Sequence, residues 1–584
     1  MIEKSIIIEH MLRRLFYPAL AVVVISCGIT RKPVRTEPYE LSFDPYNYKI
    51  EKRMLADKGA VSSAHPLASL AGLEMLKKGG NAVDAAIATQ LALAVVYPGA
   101  GNLGGGGFLV AHLSDGKQVT IDFRETAPAA AHRDMYLDSA GNVIGNDSQL
   151  GHKASGVPGS VAGIFRSLKY AKLPMGVLIA PSIELAEKGF VLTKEEAIGL
   201  NMSRAGFLKY SSSVPALVAR DKWKEGDTLI QKDLANTLKL IRDKGMKGFY
   251  EGVTADRIVA EMQKGNGIIT KKDLKNYKAV ERTPVVFDYK GYQVLTMGLP
   301  SAGGVLLPQM LKMVENQPIK DYGFLSAKAV NLMTEAERRA YADRAKYLGD
   351  PDFVKVPVKK MLSEEYIKER MKDFVPGKAG ESKNIGAGNI PESEETTHFS
   401  VYDSEGNAVA VTTTLNGGYG SKTVVSGAGF LMNNEMDDFS VKPGVPNMYG
   451  AVGSKANEIT PGKRMLSSMT PTIVLKDGKP FIVVGTPGGT TITTSLFQSI
   501  VNVIDFGLSA GDAVNKPKFH HQWQPDLLYV ESDFPKEVIN ELKQMGYKIT
   551  FRGQIGRTEM ILIHPDGKIE AVADKRGDDG VAGW

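Results

Sequence analysis

The chain has a single cysteine, Cys27, among 584 residues, so no intramolecular disulfide can staple it. It has no Arg-rich or Lys-rich run, and a net charge of +6 is small for this length. That balance excludes the basic footprint of a nucleic-acid-binding protein. The apolar stretch LFYPALAVVVI at residues 15–25 is too short to span a bilayer as a mature helix. What is present is a globular composition, 43% hydrophobic and 23% charged, with 61 glycines gathered in several backbone-shaping runs.

The N-terminus reads as an export signal. Arg13 and Arg14 precede the short apolar stretch, and Ser26-Cys27-Gly28 closes it with small residues. Val24-Ile25-Ser26-Cys27 resembles a bacterial lipobox, in which the cysteine is lipidated and begins the mature protein; an ordinary secretory signal with an incidental cysteine is the alternative. Met11 gives a cleaner basic start (MLRR) than Met1. The reading assigns residues 1–27 to a lipoprotein-type signal peptide and 28–48, polar and Pro-bearing, to a tether.

In the body, Leu67, Leu70, Ala71 and Met75 recur at helical spacing up to Gly79-Gly80. Asn81 and Asp84 then open a second helix, apolar nearly all round and therefore deeply buried. Strands are expected at 108–113 and 119–123, charged amphipathic helices at 233–244 and 325–347, and short strands near 285–297. Residues 376–395 form a polar Gly/Pro/Ser/Glu stretch, expected to lack regular structure. Thereafter TTHFSVYD, the loop SEG and NAVAVTTTLN read as a β-hairpin, with Gly406 at the left-handed loop position. If Asp403 pairs with Asn407, counting outward places Thr396 opposite Thr414, with Cβ atoms about 4.5–5.5 Å apart. A strand-turn-strand from Thr472 and a helix over 491–506 follow. Mixed strands and helices favour a layered α/β body over separate modules.

A threonine hydroxyl needs a base to become a nucleophile, and an N-terminal threonine carries one in its own α-amine. Thr396, after a polar linker and at the start of a strand, is where a chain cleavage would create such a residue. Simple β-propensity also explains a Thr-Thr pair there.

The runs GGNAVDAAIA, GNLGGGGF, DFRETAP, TTHFSVYD, NNEMDDFS, KPGVPNMYG, RMLSSMTPT, TPGGT and FHHQW are those of a known family. From about Ala60 to its C-terminus the chain resembles the γ-glutamyltranspeptidases, which are N-terminal-nucleophile hydrolases. The resemblance implies a four-layer αββα sandwich built from both products of autocleavage at Glu395–Thr396. These would be a large subunit (49–395) and a catalytic small subunit (396–584), associated as a heterodimer.

The resemblance also implies roles. Thr396 would be the nucleophile, Thr414 its hydroxyl partner, and Gly488 and Gly489 the backbone donors of an oxyanion hole. Arg124, with Ser467 and Ser468, would bind the substrate α-carboxylate, and Asp438, Glu435 and Asn416 its α-ammonium. Tyr449 would sit on a lid loop. The implied activity is γ-glutamyl transfer from glutathione or related compounds to water, amino acids or dipeptides. No cofactor, metal or nucleic acid is implied, and membrane attachment only through a lipid on Cys27, at the periplasmic or cell-surface side. Gly417-Gly418 depart from the family pattern, which leaves pocket shape open; Glu435 stands where some bacterial relatives have glutamine, and its extra negative charge is expected to strengthen ammonium recognition at the expense of like-charge strain with Asp438.

Three other signals are set aside. Gly99-x-Gly101-x-x-Gly104 follows a helix where a dinucleotide fingerprint needs a strand. His520-His521 has no accompanying carboxylate or cysteine motif. Ser160 has Pro158 where a nucleophile elbow needs glycine. Two rivals remain: a cephalosporin (glutaryl) acylase of the same fold, and an inactive surface lipoprotein that only binds γ-glutamyl peptides.

Overall fold

The two helices expected at the start of the body run Pro66–Lys77 and Ala82–Val96 in the computed structural model, which describes residues 39–385, 396–442, 444, 445, 448 and 453–584. His65 caps the first helix by accepting from Leu67 N–H, and Pro66 occupies its first turn, where a missing N–H breaks no helical bond. Asn81 and Asp84 form a reciprocal capping box on the second. Every residue of Ala82–Val96 is buried, as its unbroken apolar composition requires.

Two seven-stranded sheets lie at the centre, antiparallel throughout. The first runs in the order Gly580–Gly583, Ala60–Ser63, Thr397–Tyr402, Ala408–Thr414, Gly106–His112, Gln118–Asp122, Val280–Arg282. The second runs Arg53–Ala56, Ile569–Val572, Glu559–Ile563, Lys479–Gly485, Thr472–Lys476, Tyr292–Thr296, Val285–Tyr289.

Strand alternation sorts the side chains into layers. Val409 and Val411 face a core shared with Pro66–Lys77 and Ala82–Val96, whereas Ala408 and Ala410 face a core shared with the second sheet. On the second sheet Ile482 and Val484 face the helices Gly303–Glu315, Ala327–Tyr347 and Thr491–Ile504, whereas Val483 faces inward. Helix, sheet, sheet, helix is the αββα order that the resemblance implied.

The hairpin register is the one counted from its turn. Thr397 pairs with Thr413 and Tyr402 with Ala408, so the next step outward sets Thr396 against Thr414. Gly406 takes φ 91, where a side chain would be strained. Asp403 holds the turn: Oδ1 accepts from Glu405 and Asn407 N–H, and Oδ2 from Asn407 Nδ2 and from Ala82 N–H at 2.7 Å. One carboxylate thus closes the hairpin and caps the buried helix, where the helix dipole favours negative charge.

Close approach explains part of the glycine run. A Cβ on Gly105 would lie 2.0 Å from Thr414 O, and one on Gly106 would lie 2.5 Å from Glu125 Oε2.

Two expectations are corrected. Residues 376–381 lack helix and strand as expected but are tied down, residues 382–385 are helical, and 386–395 lie outside the described residues. Gly377 N–H donates to Asn331 Oδ1 and Gly380 N–H to Glu335 Oε1, so side chains of Ala327–Tyr347 satisfy that backbone, and Ser382–Ile385 forms a helical turn. Leu41, Phe43 and Tyr48, placed in the tether, pack against the first core, and Tyr48 O–H donates to Val191 O at 2.9 Å. Apolar side chains embedded in that polar stretch anchor it. Among the described residues no helix is long and apolar enough to cross a membrane.

Asp403→Ala leaves several buried donors unpaired and should lower stability by about 3 kcal/mol. Urea unfolding measures this directly; an unchanged midpoint would contradict the role given to the turn.

Candidate active site

Thr396 is only 7% exposed and immediately precedes the strand Thr397–Tyr402, which lies inside the first sheet between Ala60–Ser63 and Ala408–Thr414. Thr414 ends the neighbouring strand. Its hydroxyl accepts from Asn416 N–H at 2.7 Å, which leaves its own proton for donation. Asn102 secures the same strand end from below, giving Nδ2–H to Thr414 O at 2.9 Å and accepting from Gly105 N–H and the Ser160 hydroxyl. The GNLGGGG run therefore serves the backbone around Thr414, and Ser160 is one of its supports.

A small cleft brings together Thr396, Thr414, Arg124, Asn416, Glu435, Asp438, Ser467, Ser468 and Gly489. These residues come from distant parts of the sequence. Gly488 precedes Gly489 in the same turn and lines a second, wider cleft that also reaches Thr396. Gly488 has φ 134 and Gly489 φ 53, conformations in which a side chain would be strained. Glu395, Tyr449 and Cys27 lie outside the described residues.

The charged groups are paired with one another. Arg124 is 1% exposed. Its Nη1 donates to Glu435 Oε2 at 2.5 Å, its Nη2 to Asp438 Oδ2, and Glu125 Oε2 lies 3.5 Å from Nη1. Asp122 helps from behind, accepting from Arg124 N–H at 2.9 Å, and Tyr277 O–H donates to Arg124 O at 2.7 Å. Three carboxylates thus surround one guanidinium. Burial alone would lower the Arg124 value, but Glu435, Asp438 and Glu125 together raise it. Burial pushes Glu125 up to about 8 even though Arg124 pulls it down, and burial likewise raises Glu435 and Asp438 against the pull of Arg124. Neither Glu125 oxygen has a hydrogen-bond partner among the described residues. The site is rich in acid, with a positive group held at its centre.

Asn416 stands at φ 76 and gives Nδ2–H to Asn434 O at 3.0 Å. Gly417 N–H donates to Asn434 Oδ1 at 2.8 Å, so the departure at Gly417 leaves that wall tied down. Ser467 Oγ accepts from Met469 N–H at 3.2 Å.

Sequence reasoning missed Arg344. It projects from Ala327–Tyr347 into the cleft, its Nη2 lies 3.4 Å from Ser468 Oγ, and it lowers the Asp438 value. Glu335, Arg338, Arg339 and Asp343 are all buried on the same helix. A helix with that many buried charges signals more than an amphipathic surface element. It carried no indication of which charge reaches the site.

The second cleft is lined in part by Tyr97, Glu195, Tyr419, Arg557 and Asp578, and shares only Thr396 with the first. The second cleft, of about 300 Å³, leaves open space on one side of Thr396, whereas on the other side the paired charges nearly fill the first.

The family model described as gamma-glutamyltranspeptidase matches residues 68–584. A glutathione hydrolase proenzyme of Escherichia coli (strain K12) is 46% identical over 550 residues, covering 92% of this chain and 95% of that protein. Among solved structures, a cephalosporin acylase from Bacillus halodurans superposes with a TM-score of 0.79 at 27% identity, covering 94% of this chain and 99% of its own. A Helicobacter pylori gamma-glutamyltranspeptidase chain gives a TM-score of 0.54 at 44% identity, covering 57% of this chain and 94% of its own.

Glu125 releases its proton near 4.5 in the unfolded chain but only at about 8 when folded. The folded form therefore holds a proton that the unfolded form gives up, and stability falls as pH rises between those values. Glu125→Gln should flatten that fall in urea midpoints measured from pH 5 to 8; a slope equal to wild type would contradict the assignment.

Proposed function

Because the chain belongs to the gamma-glutamyltranspeptidase family, we propose that Thr396 is the nucleophile through which it performs γ-glutamyl transfer and glutathione hydrolysis. The proenzyme cuts itself, and in this reading the cut falls between Glu395 and Thr396. The Thr396 hydroxyl attacks the Glu395 carbonyl, an N-to-O acyl shift gives an ester, and water releases it. The small chain 396–584 then begins with a free α-amine beside the hydroxyl. Such an amine has an ordinary value near 7.7–8.0, so an appreciable neutral fraction is available as base.

In catalysis the α-amine takes the Thr396 proton as the oxygen attacks the γ-carbonyl. The negative oxygen that forms is met by the N–H groups of Gly488 and Gly489, and Thr414 donates to the attacking oxygen. The proton passes to the departing amine, leaving a γ-glutamyl ester on Thr396. Water then releases glutamate, or an amino-acid or dipeptide amine takes the group to give a new γ-glutamyl product. The leaving group and the acceptor occupy the wider cleft beside Tyr97 and Tyr419.

The observation that carries this reading is one cleft uniting Thr396 and Thr414 with a cation and a set of acids. A γ-glutamyl group brings both charges at its α-carbon. Its carboxylate exchanges for the acids on Arg124, with Ser467, Ser468 and Arg344 beside it. Its ammonium takes the released Asp438 and Glu435, with Asn416. The exchange adds no net charge to a buried site, where an unpaired ion is costly. A glutaryl group brings only a carboxylate to a site already crowded with acids, which argues against the acylase reading.

Further assignments belong to the same proposal. Residues 1–27 carry the export signal and its lipobox, whose Cys27 is retained as the first mature residue and bears the lipid that holds the enzyme at the membrane surface on the exported side, and Tyr449 covers the pocket.

A γ-glutamyl anilide should be cleaved at least tenfold faster than the matching glutaryl anilide, and Asp438→Asn should narrow the gap; faster release from the glutaryl compound would overturn the substrate assignment. Arg124→Ala should raise KM strongly while the chain still cuts itself, as read on a denaturing gel. Failure of self-cleavage there would move Arg124 from substrate binding to the processing step.

A further inference from the structure

The turn Thr486-Pro487-Gly488-Gly489-Thr490-Thr491 joins the strand Lys479–Gly485 to the helix Thr491–Ile504. Two of its residues are glycines at positive φ, and glycine peptides rotate more freely than any others. A donor that must meet a developing charge loses its value if its peptide turns away.

In a trans peptide the C=O and the following N–H point in opposite directions. The N–H of Gly488 is therefore aimed by the carbonyl of Pro487, and the N–H of Gly489 by the carbonyl of Gly488. Both carbonyls are held by threonine hydroxyls. Thr486 Oγ1 donates to Pro487 O at 2.8 Å and accepts from Arg557 N–H at 2.7 Å, which fixes the direction of its own proton. Thr491 Oγ1 donates to Gly488 O at 2.8 Å, beside Thr491 N–H at 2.9 Å. Both threonines are fully buried.

The far end of the turn is pinned as well. Tyr341 O–H donates to Thr490 O, and Thr490 Oγ1 donates to Gln522 Oε1 at 2.7 Å. The same Gln522 oxygen lies 2.9 Å from His520 Nε2. Since an amide oxygen only accepts, His520 carries its proton on Nε2, and its Nδ1 meets the Thr494 hydroxyl at 2.8 Å. The FHHQW run thus braces this turn from outside the substrate cleft.

We propose that Thr486 and Thr491 are positioning residues, whose hydroxyls set the two oxyanion N–H directions by latching the carbonyl at the opposite edge of each peptide. The inference rests on Gly488 and Gly489 being the oxyanion donors. Neither threonine lines either cleft at Thr396. Their effect falls on the charged intermediate and leaves ground-state binding alone.

The test uses Thr486→Val and Thr491→Val, close in shape but lacking the hydroxyl, with the serine variants as rescue. Kinetics are read on the processed fraction, counted by intact mass, and thermal midpoints check the fold. Losing an oxyanion donor outright costs about 10²–10³ in kcat, so a loosened latch should cost about tenfold, with KM for a γ-glutamyl anilide within about twofold of wild type. Affinity for a γ-boronic-acid analogue of glutamate, whose tetrahedral adduct on Thr396 carries the negative oxygen, should fall by the same factor. Affinity for glutamate should not change, and serine should restore both readouts. Gly488→Ala, which cannot keep φ 134 without strain, serves as the reference. If it weakens the boronate while both valine variants bind it like wild type, the latch is overturned and the donors stand. If Gly488→Ala also leaves the boronate untouched, the oxyanion reading itself fails and takes the latch with it.

Discussion

The pairing of Thr397–Tyr402 with Ala408–Thr414 is the constraint on which the rest of the structure depends. It sets Thr396 against Thr414, and its turn is locked by Asp403 onto the start of the buried helix Ala82–Val96. The same strand pairs on its other edge with Ala60–Ser63. A nucleophile created by cutting the chain in front of this strand would stay in place, because strands on both sides hold it. In the proposed reading that geometry reconciles a broken backbone with a placed hydroxyl, and it would keep the two products of processing together as one folded body.

A second constraint is electrostatic. Burying Arg124 among Glu125, Glu435 and Asp438 leaves more acid than base in a buried site, and burial lifts the carboxylates to compensate. A buried ion pair is weak evidence for stability, and the proposed function makes this one the place of the substrate's α-amino acid end. A zwitterion can divide such a pair without leaving either charge alone. Under the proposed function the arrangement gives specificity for an α-amino acid end; a cephalosporin acylase shares the fold, and architecture by itself does not decide the substrate.

Local features were the most legible in the sequence. Asn81 and Asp84 announce their capping box, Gly406 its turn, and the alternation of 397–402 and 408–414 a register in which Thr396 meets Thr414. The fourfold glycine run could be recognised, but its reason could not, since the atoms that forbid a Cβ belong to Leu431, Thr414, Glu125, Phe123 and Thr412. Arg344, Tyr341 and Gln522 stayed hidden because their partners are remote: Tyr341 meets Thr490, and Gln522 meets it from the other side. The mutual pairing of Arg124 with Glu435 and Asp438 was also invisible, because opposite charges assigned to two ends of a substrate carry no sign that they bind each other without it. Composition did not show that residues 376–381 are tied down, since their polar backbone is satisfied by buried groups on a distant helix.

The central claim is that one threonine hydroxyl, freed at a new N-terminus, carries the γ-glutamyl group. The most direct measurement is an acid quench during turnover of a γ-glutamyl substrate, followed by mass mapping of the small chain. The account predicts a peptide beginning at Thr396 and heavier by one γ-glutamyl group. A label on any other residue, or full turnover by a chain that has never been cut, would contradict it.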